Sequence, residues 1–147
     1  YLRTTRPATP VIYNNEEKFH LGGSKVLKQT RNDKATIVAA GVTLHEALKA
    51  HNELEQDNIA VRIIDCYSVK PLDKATLIKA AEETRHIITV EDHYAEGGLG
   101  EAVASLGLQP YILAVRKMPH SGPPEMLLAE QGIDAEGVVE EVKKILT

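Results

Sequence analysis

ATIVAAGVTLHEALKAHNELEQ (Ala35–Gln56) changes rhythm once, at Gly41. Ahead of the glycine, Ala35–Ala40 is apolar and partly β-branched, the composition of a short buried strand. Behind it, Leu44, Ala47, Leu48, Ala50 and Leu54 share one face of a helix reaching about Gln56. Thr43-Leu44-His45-Glu46 has the spacing of a capping box, so the Thr43 hydroxyl is expected to cap and Glu46 to reach back. Strand, glycine and amphipathic helix in one short run make the first half of a βαβ unit.

The alternation continues downstream. AVRIID (Ala60–Asp65) reads as a strand; KPLD punctuates, and Asp73 can cap a helix over Ala75–Glu83. HIITVE (His86–Glu91) is a β-branched strand, followed by a glycine-rich turn and a short helix Glu101–Leu106. YILAV (Tyr111–Val115) is the last strand. MPHSGPP is a loop, and helices follow at Glu125–Glu130 and Asp134–Leu146. This order predicts an α/β fold with three layers and a mainly parallel sheet.

The opening differs. Lys25–Gln29 and Ala35–Ala40 are joined by the polar turn TRND, a length that suits an antiparallel hairpin, so one strand should run against the rest. Residues 7–23 carry Pro7, Pro10 and Asn14-Asn15 and read as a linker, with a short extended piece at Val11–Tyr13. Tyr1–Arg6 is extended and reads as a strand already in progress. With no initiator Met, the chain is expected to be a piece of something longer.

The bulk numbers set bounds. A chain of 147 residues, 43% of them hydrophobic, can bury a core. The net charge of -4 is spread without a basic stripe, which disfavours a nucleic-acid partner. No apolar run approaches membrane-spanning length, so no membrane partner is expected, and YLRTTRP has no h-region or cleavage pattern. The single cysteine, Cys66, excludes an internal disulfide and reads as a buried thiol. A reducing, cytoplasmic location is the expectation.

VEDHYAEGGLGEAV (Val90–Val103) is where chemistry could sit. A dinucleotide fingerprint would need glycine or alanine where Val103 stands, and Glu101 would repel a phosphate at the helix start. On a strand Glu91 and His93 face one side and Asp92 the other, at the strand end where open α/β sheets place ligands. An acid–histidine pair there could move protons, but no nucleophile lies near it, and no metal-ligand spacing exists. The other reading is structural. Gly97, Gly98 and Gly100 let the chain reverse, and the polar residues cap the next helix or meet a neighbouring chain. Glu91, Asp92, His93, Gly97, Gly98 and Gly100 are thus candidate interface residues. His45, His51, His86 and His120 read as surface or capping residues.

Taken together, RTTRP (3–7), IYNNEEKF (12–19), AAGVTLHEAL (39–48), IIDCYSVKPLD (63–73), TVEDHYAEGGLGEAV (89–103) and PHSGPPEMLLAEQGID (119–134) resemble the C-terminal domain of transketolase, in its animal-type branch. The resemblance runs essentially end to end. It implies a three-layer α/β/α sandwich with a five-stranded mixed sheet and one antiparallel strand. It also divides the chain: 1–23 would be the last strand and linker of a preceding pyrimidine-binding domain, and 24–147 the C-terminal domain.

Transketolases are homodimers that move a two-carbon ketol unit from a ketose phosphate to an aldose phosphate, using thiamine diphosphate and magnesium. The other domains hold both cofactors, so the resemblance implies no catalytic, cofactor or metal residue here, and a chain inactive alone. Within Thr5-Arg6-Pro7, Arg6 matches the family's phosphate-binding arginine, and a guanidinium suits a phosphate. Arg3 is assigned a structural part. The segment ASLGLQP, between Val103 and Tyr111, is shorter than the family pattern, so that helix should be clipped. Two other readings stay open: the C-terminal domain of a 2-oxoacid dehydrogenase β chain docking a partner, and a free-standing module for a small ligand.

Overall fold

A computed structural model describes residues 1–5 and 8–147. Five strands and five helices follow in chain order: β1 (Lys25–Lys28), β2 (Ala35–Ala39), α1 (Val42–Gln56), β3 (Val61–Asp65), α2 (Lys74–Thr84), β4 (Ile87–Tyr94), α3 (Leu99–Ala104), β5 (Tyr111–Val115), α4 (Pro124–Gln131) and α5 (Ala135–Ile145). The strands form one sheet in the order β1-β3-β2-β4-β5, with β1 antiparallel to β3 and the other neighbours parallel.

The two central strands β2 and β3 are buried at every position. Strand side chains alternate in direction, so full burial requires cover on both faces. Ile37, Ile63, Ile88 and Val90 pack on one side with Leu44, Ala47 and Leu54 of α1 and Val138 and Val142 of α5. Val38, Ile64 and Ile87 pack on the other with Leu77 and Ala80 of α2 and Leu99 and Val103 of α3. The apolar stripes read from the sequence are these two faces, and they make the fold the expected three-layer sandwich.

Two expectations need correction. The antiparallel strand exists, but β1 does not form a hairpin with β2; it pairs with β3, Val26 opposite Ile64. KVLK is half-buried in alternation, with Lys25 and Lys28 in it, a pattern for an edge. The apolar β2 takes the centre, between β3 and β4. The connecting turn is closed instead by Asp33, which accepts from the Thr30 amide and hydroxyl.

The capping box at Thr43 is the second. Gly41 occupies the N-cap with a φ of 64°, where glycine is at ease, and no side chain caps α1. Thr43 lies two positions too far into the helix. Its hydroxyl donates to the carbonyls of Ala40 (3.0 Å) and Val90 (2.8 Å). Glu46 turns away and accepts the amide of Ala135, 3.1 Å away at the start of α5. Asp73 does cap α2, accepting from the Thr76 amide.

Val11–Tyr13 and Tyr1–Thr5 join no strand of this sheet. The segment ahead of β1 is nevertheless docked. The Tyr13 hydroxyl donates to Asp65 at 2.6 Å, Phe19 packs edge-on between Tyr13 and Tyr67, and Gly22 donates to Ser68. Lys25 pairs with Glu17 beside these rings. The aromatic and polar content of IYNNEEKF is spent on holding this segment over the ends of β1 and β3.

Candidate functional site

β4 is the longest strand, and its last residues project past β2, whose pairing stops at Ala39 opposite Val90. The Thr43 hydroxyl takes the Val90 carbonyl at that point. Beyond it the register with β5 slips between Val90 and Tyr94, an irregularity of the kind that re-aims side chains. Glu91, Asp92 and His93 lie inside this slip.

Glu91 points inward and is 5% exposed. Its carboxylate accepts the Leu99 amide at 2.6 Å and the Gly100 amide at 2.8 Å, the first two residues of α3. Free amides at a helix start are an anion site, and here the anion is the chain's own carboxylate. Burial pushes the Glu91 carboxyl above the usual glutamate range; the two amide bonds and the nearby His93 and Arg116 pull the other way and offset part of it. Glu101 holds a further amide, that of Gly97, at 2.7 Å.

Each glycine of the corner has its own reason. Gly97 has a φ of 73°. A β-carbon on Gly98 would lie 2.6 Å from the Tyr94 carbonyl and 2.7 Å from the Glu91 carboxyl carbon. One on Gly100 would meet the Ile112 side chain at 2.6 Å. The V-E…G-G-x-G pattern is therefore one object: a buried glutamate, the helix amides that receive it, and the space that lets them meet.

This geometry also answers the phosphate question. The amides a diphosphate would need are occupied by Glu91, and Glu101 adds a second carboxylate beside them. Among the described residues no group of three His, Cys, Asp or Glu side chains is placed to hold a metal ion. At this corner the described residues do not fit thiamine diphosphate or its metal.

Asp92 and His93 are on the outside. Arg3 reaches across to Asp92, donating to its carbonyl at 2.9 Å and its carboxylate at 3.0 Å. His93 bonds the Tyr94 carbonyl, and the Tyr94 hydroxyl reaches Met118. Arg6 and Pro7 lie outside the described residues. The other histidines are scattered: His120 pairs with Glu130 at the surface, whereas His51, expected to be a surface or capping residue, is buried in α1. The link after α3 turns at Gly107, with a φ of 82°.

Cys66 follows β3 and is fully buried; desolvation, with Asp65 and Asp73 nearby, pushes its thiol up to about 12. It is a packing group, as its flanks suggest. Sequence reasoning missed the Arg62 cluster. Arg62 is buried on β3, with its guanidinium 2.6 Å from Glu83 and 3.5 Å from Asp33. An arginine inside the apolar run VRIID was the available signal. The pair of acids ties α2 and the β1–β2 turn to the sheet.

Fold and corner together define a three-layer α/β module whose glycine motif serves its own architecture. A sequence model of the family described as Transketolase, C-terminal domain matches residues 24–138, and the chain belongs to that family. It is 49% identical to transketolase-like protein 1 of Bos taurus over 99% of its length, and 42% identical to human transketolase over all of it. It spans about a quarter of those relatives, 26% and 25%. Among solved structures it resembles one described as "Split gene transketolase, inactive beta4 tetramer". There the TM-score is 0.85 at 34% identity, covering 92% of this chain and 46% of that one. These matches favour transketolase over the 2-oxoacid dehydrogenase and free-standing-module readings.

Proposed function

We propose that this chain acts as the C-terminal part of a transketolase. The complete enzyme would transfer a two-carbon ketol unit between sugar phosphates. Thiamine diphosphate and magnesium would be held by its other domains, in a cytoplasmic homodimer. The observation that carries this reading is the match along the whole chain to a quarter of each transketolase relative. The filled amide cradle supports a scaffold role for this part, since the amides at the start of α3 are used internally.

On this reading residues 1–23 lead in from the preceding domain, and Arg6 contacts the substrate phosphate. Asp92, His93 and the glycine corner face another domain or subunit. Their exposure at the strand end supports that assignment for Asp92 and His93; Glu91 serves it by holding the corner's shape.

The test is ketol transfer from xylulose 5-phosphate to ribose 5-phosphate with thiamine diphosphate and magnesium. It compares this chain alone with a form extended by the upstream region that its relatives carry. Activity in the extended form only is the expected result. Turnover by the 147 residues alone, or none in either, overturns the reading.

A further inference from the structure

Between β5 and α4 every residue from Arg116 to Pro123 is exposed, yet the loop is held. From the α4 side the Gln131 side chain accepts the Arg116 amide at 2.9 Å and the Lys117 amide at 3.2 Å, and His120 pairs with Glu130 at 3.0 Å. Among the described residues, one side-chain bond ties the loop to β4: the Tyr94 hydroxyl donates to Met118 Sδ at 3.7 Å. Tyr94 is itself fixed by its pairing with Val115. A thioether is a weak acceptor, so the tie to β4 is the loosest of these.

Met118 is also the sulfur most open to solvent. The chain has one cysteine and two methionines. Met118 is 84% exposed; Met126 is 43% exposed and lies over Gly122. Cys66 is fully buried and holds almost no thiolate, the form that oxidants attack.

We propose that Met118 is an oxidation site whose sulfoxide fastens this loop to the end of β4. The oxidant is a hydroperoxide. A lone pair of the sulfur forms the S–O bond as the peroxide O–O bond breaks; the sulfur is oxidised by two electrons and the peroxide is reduced by two. The departing oxygen takes the proton of the transferred one and leaves as water or an alcohol. In one of the two sulfoxide epimers the new oxygen faces the Tyr94 hydroxyl across the present 3.7 Å gap, and a strong acceptor replaces a weak one. A core methionine loses packing when it is oxidised; this one has little packing to lose.

The experiment treats this chain with hydrogen peroxide and follows each sulfur by peptide mass. Met118 gains one oxygen ahead of Met126, and Cys66 stays unmodified in the native state. Amide hydrogen exchange then reads the loop at Arg116 and Lys117, whose amides Gln131 holds. Epimer-specific sulfoxide reductases remove one epimer at a time. With the bonding epimer left, exchange at these two amides slows about two- to tenfold, the size that one hydrogen bond governs. Full reduction restores the parent rates. Tyr94→Phe is oxidised as the parent is and shows no slowing. Met118→Gln places an amide oxygen near the same point; it slows exchange without peroxide, and it serves if Tyr94→Phe fails to fold.

Oxidation of Met126 or Cys66 ahead of Met118 overturns the proposal. So does exchange that is unchanged or faster with either epimer, or a slowing that survives in Tyr94→Phe.

Discussion

Gly98 stands where a β-carbon would fall 2.7 Å from the Glu91 carboxyl carbon. The two residues therefore exclude every other side chain at position 98 while Glu91 remains in its cradle. Gly98→Ala must push Glu91 out or shift the Tyr94 carbonyl. A buried carboxylate without its donors, or donors without their carboxylate, costs about 1–3 kcal/mol each. Gly98→Ala is expected to lower stability by about 3 kcal/mol in urea unfolding. Gly97→Ala, strained only by its positive φ, should cost about 1 kcal/mol. Equal losses for the two would mean that backbone conformation, and not the meeting of Gly98 with Glu91, governs the corner.

Glu46 belongs to α5 as much as to α1. Its carboxylate accepts the Ala135 amide, and its other oxygen pairs with Lys49 at 2.7 Å. Glu46→Ala removes a buried acceptor between two helices and is expected to cost about 1–2 kcal/mol. Hydrogen exchange locates the loss. The Ala135 amide should exchange faster, while the first amides of α1 keep their protection. Faster exchange at the start of α1 alone would restore the capping-box assignment.

The order of the elements was legible because each strand and helix declares itself locally, although β4 runs three residues past Glu91 and α3 starts two residues before Glu101. The runs TIVA, VRIID and IITV are apolar on both faces, and the helices between them carry one stripe each. What stayed hidden lies between elements. The turn TRND is compatible with a hairpin; only the competition of β2, β3 and β4 for the buried centre sends β1 to the far edge. Thr43 and Glu46 have capping-box spacing, yet Glu46 finds its partner 89 residues away, and spacing cannot distinguish the two. Glu91 was half-legible. Helix capping was one of its readings, but that Gly98 exists to admit it follows only from the geometry.

Asp73 titrates in a window that its hydrogen bonds define. Partial burial pushes its carboxyl up, but bonds from Thr76 and Ser24 outweigh this and hold it below the usual aspartate value. A carboxyl lowered on folding stabilises the fold above its unfolded pKa, about 3.9, and that contribution is lost as pH falls through the folded value. Asp73→Ala should cost about 1 kcal/mol at pH 7, as lost helix caps do. The difference between Asp73→Ala and the parent should shrink below about pH 4. A cost that persists at pH 2 in chemical unfolding would contradict a role for the ionised cap.

Cys66 should be silent toward thiol reagents in the folded protein. Its side chain is fully buried, and a thiol raised to about 12 holds almost no thiolate at pH 8. Alkylation at pH 8 is expected to be undetectable in the native state and complete in urea. Rapid native labelling would show that β3 opens at its end.

The Tyr13–Asp65 bond holds the leading segment to β3, and its worth should depend on pH. Burial raises the Asp65 carboxyl above the usual aspartate value, while the Tyr13 hydroxyl, 2.6 Å away, and Lys25 lower it in part. A carboxyl raised on folding contributes stability that is full below its unfolded pKa and is lost as pH rises through the folded value. Tyr13→Phe removes a donor to the ionised form, so it raises the folded value further and enlarges that loss. The substitution should cost about 1.5–3 kcal/mol at pH 7, as bonds to charged groups do. The cost should fall toward zero as acid neutralises Asp65 in both proteins. Urea unfolding of the two forms from pH 3 to pH 8 reads this directly. No difference at any pH would mean that Tyr13 holds the segment by packing on Phe19 and that its hydroxyl contributes nothing, while a constant non-zero difference would mean that the bond is indifferent to the charge of Asp65.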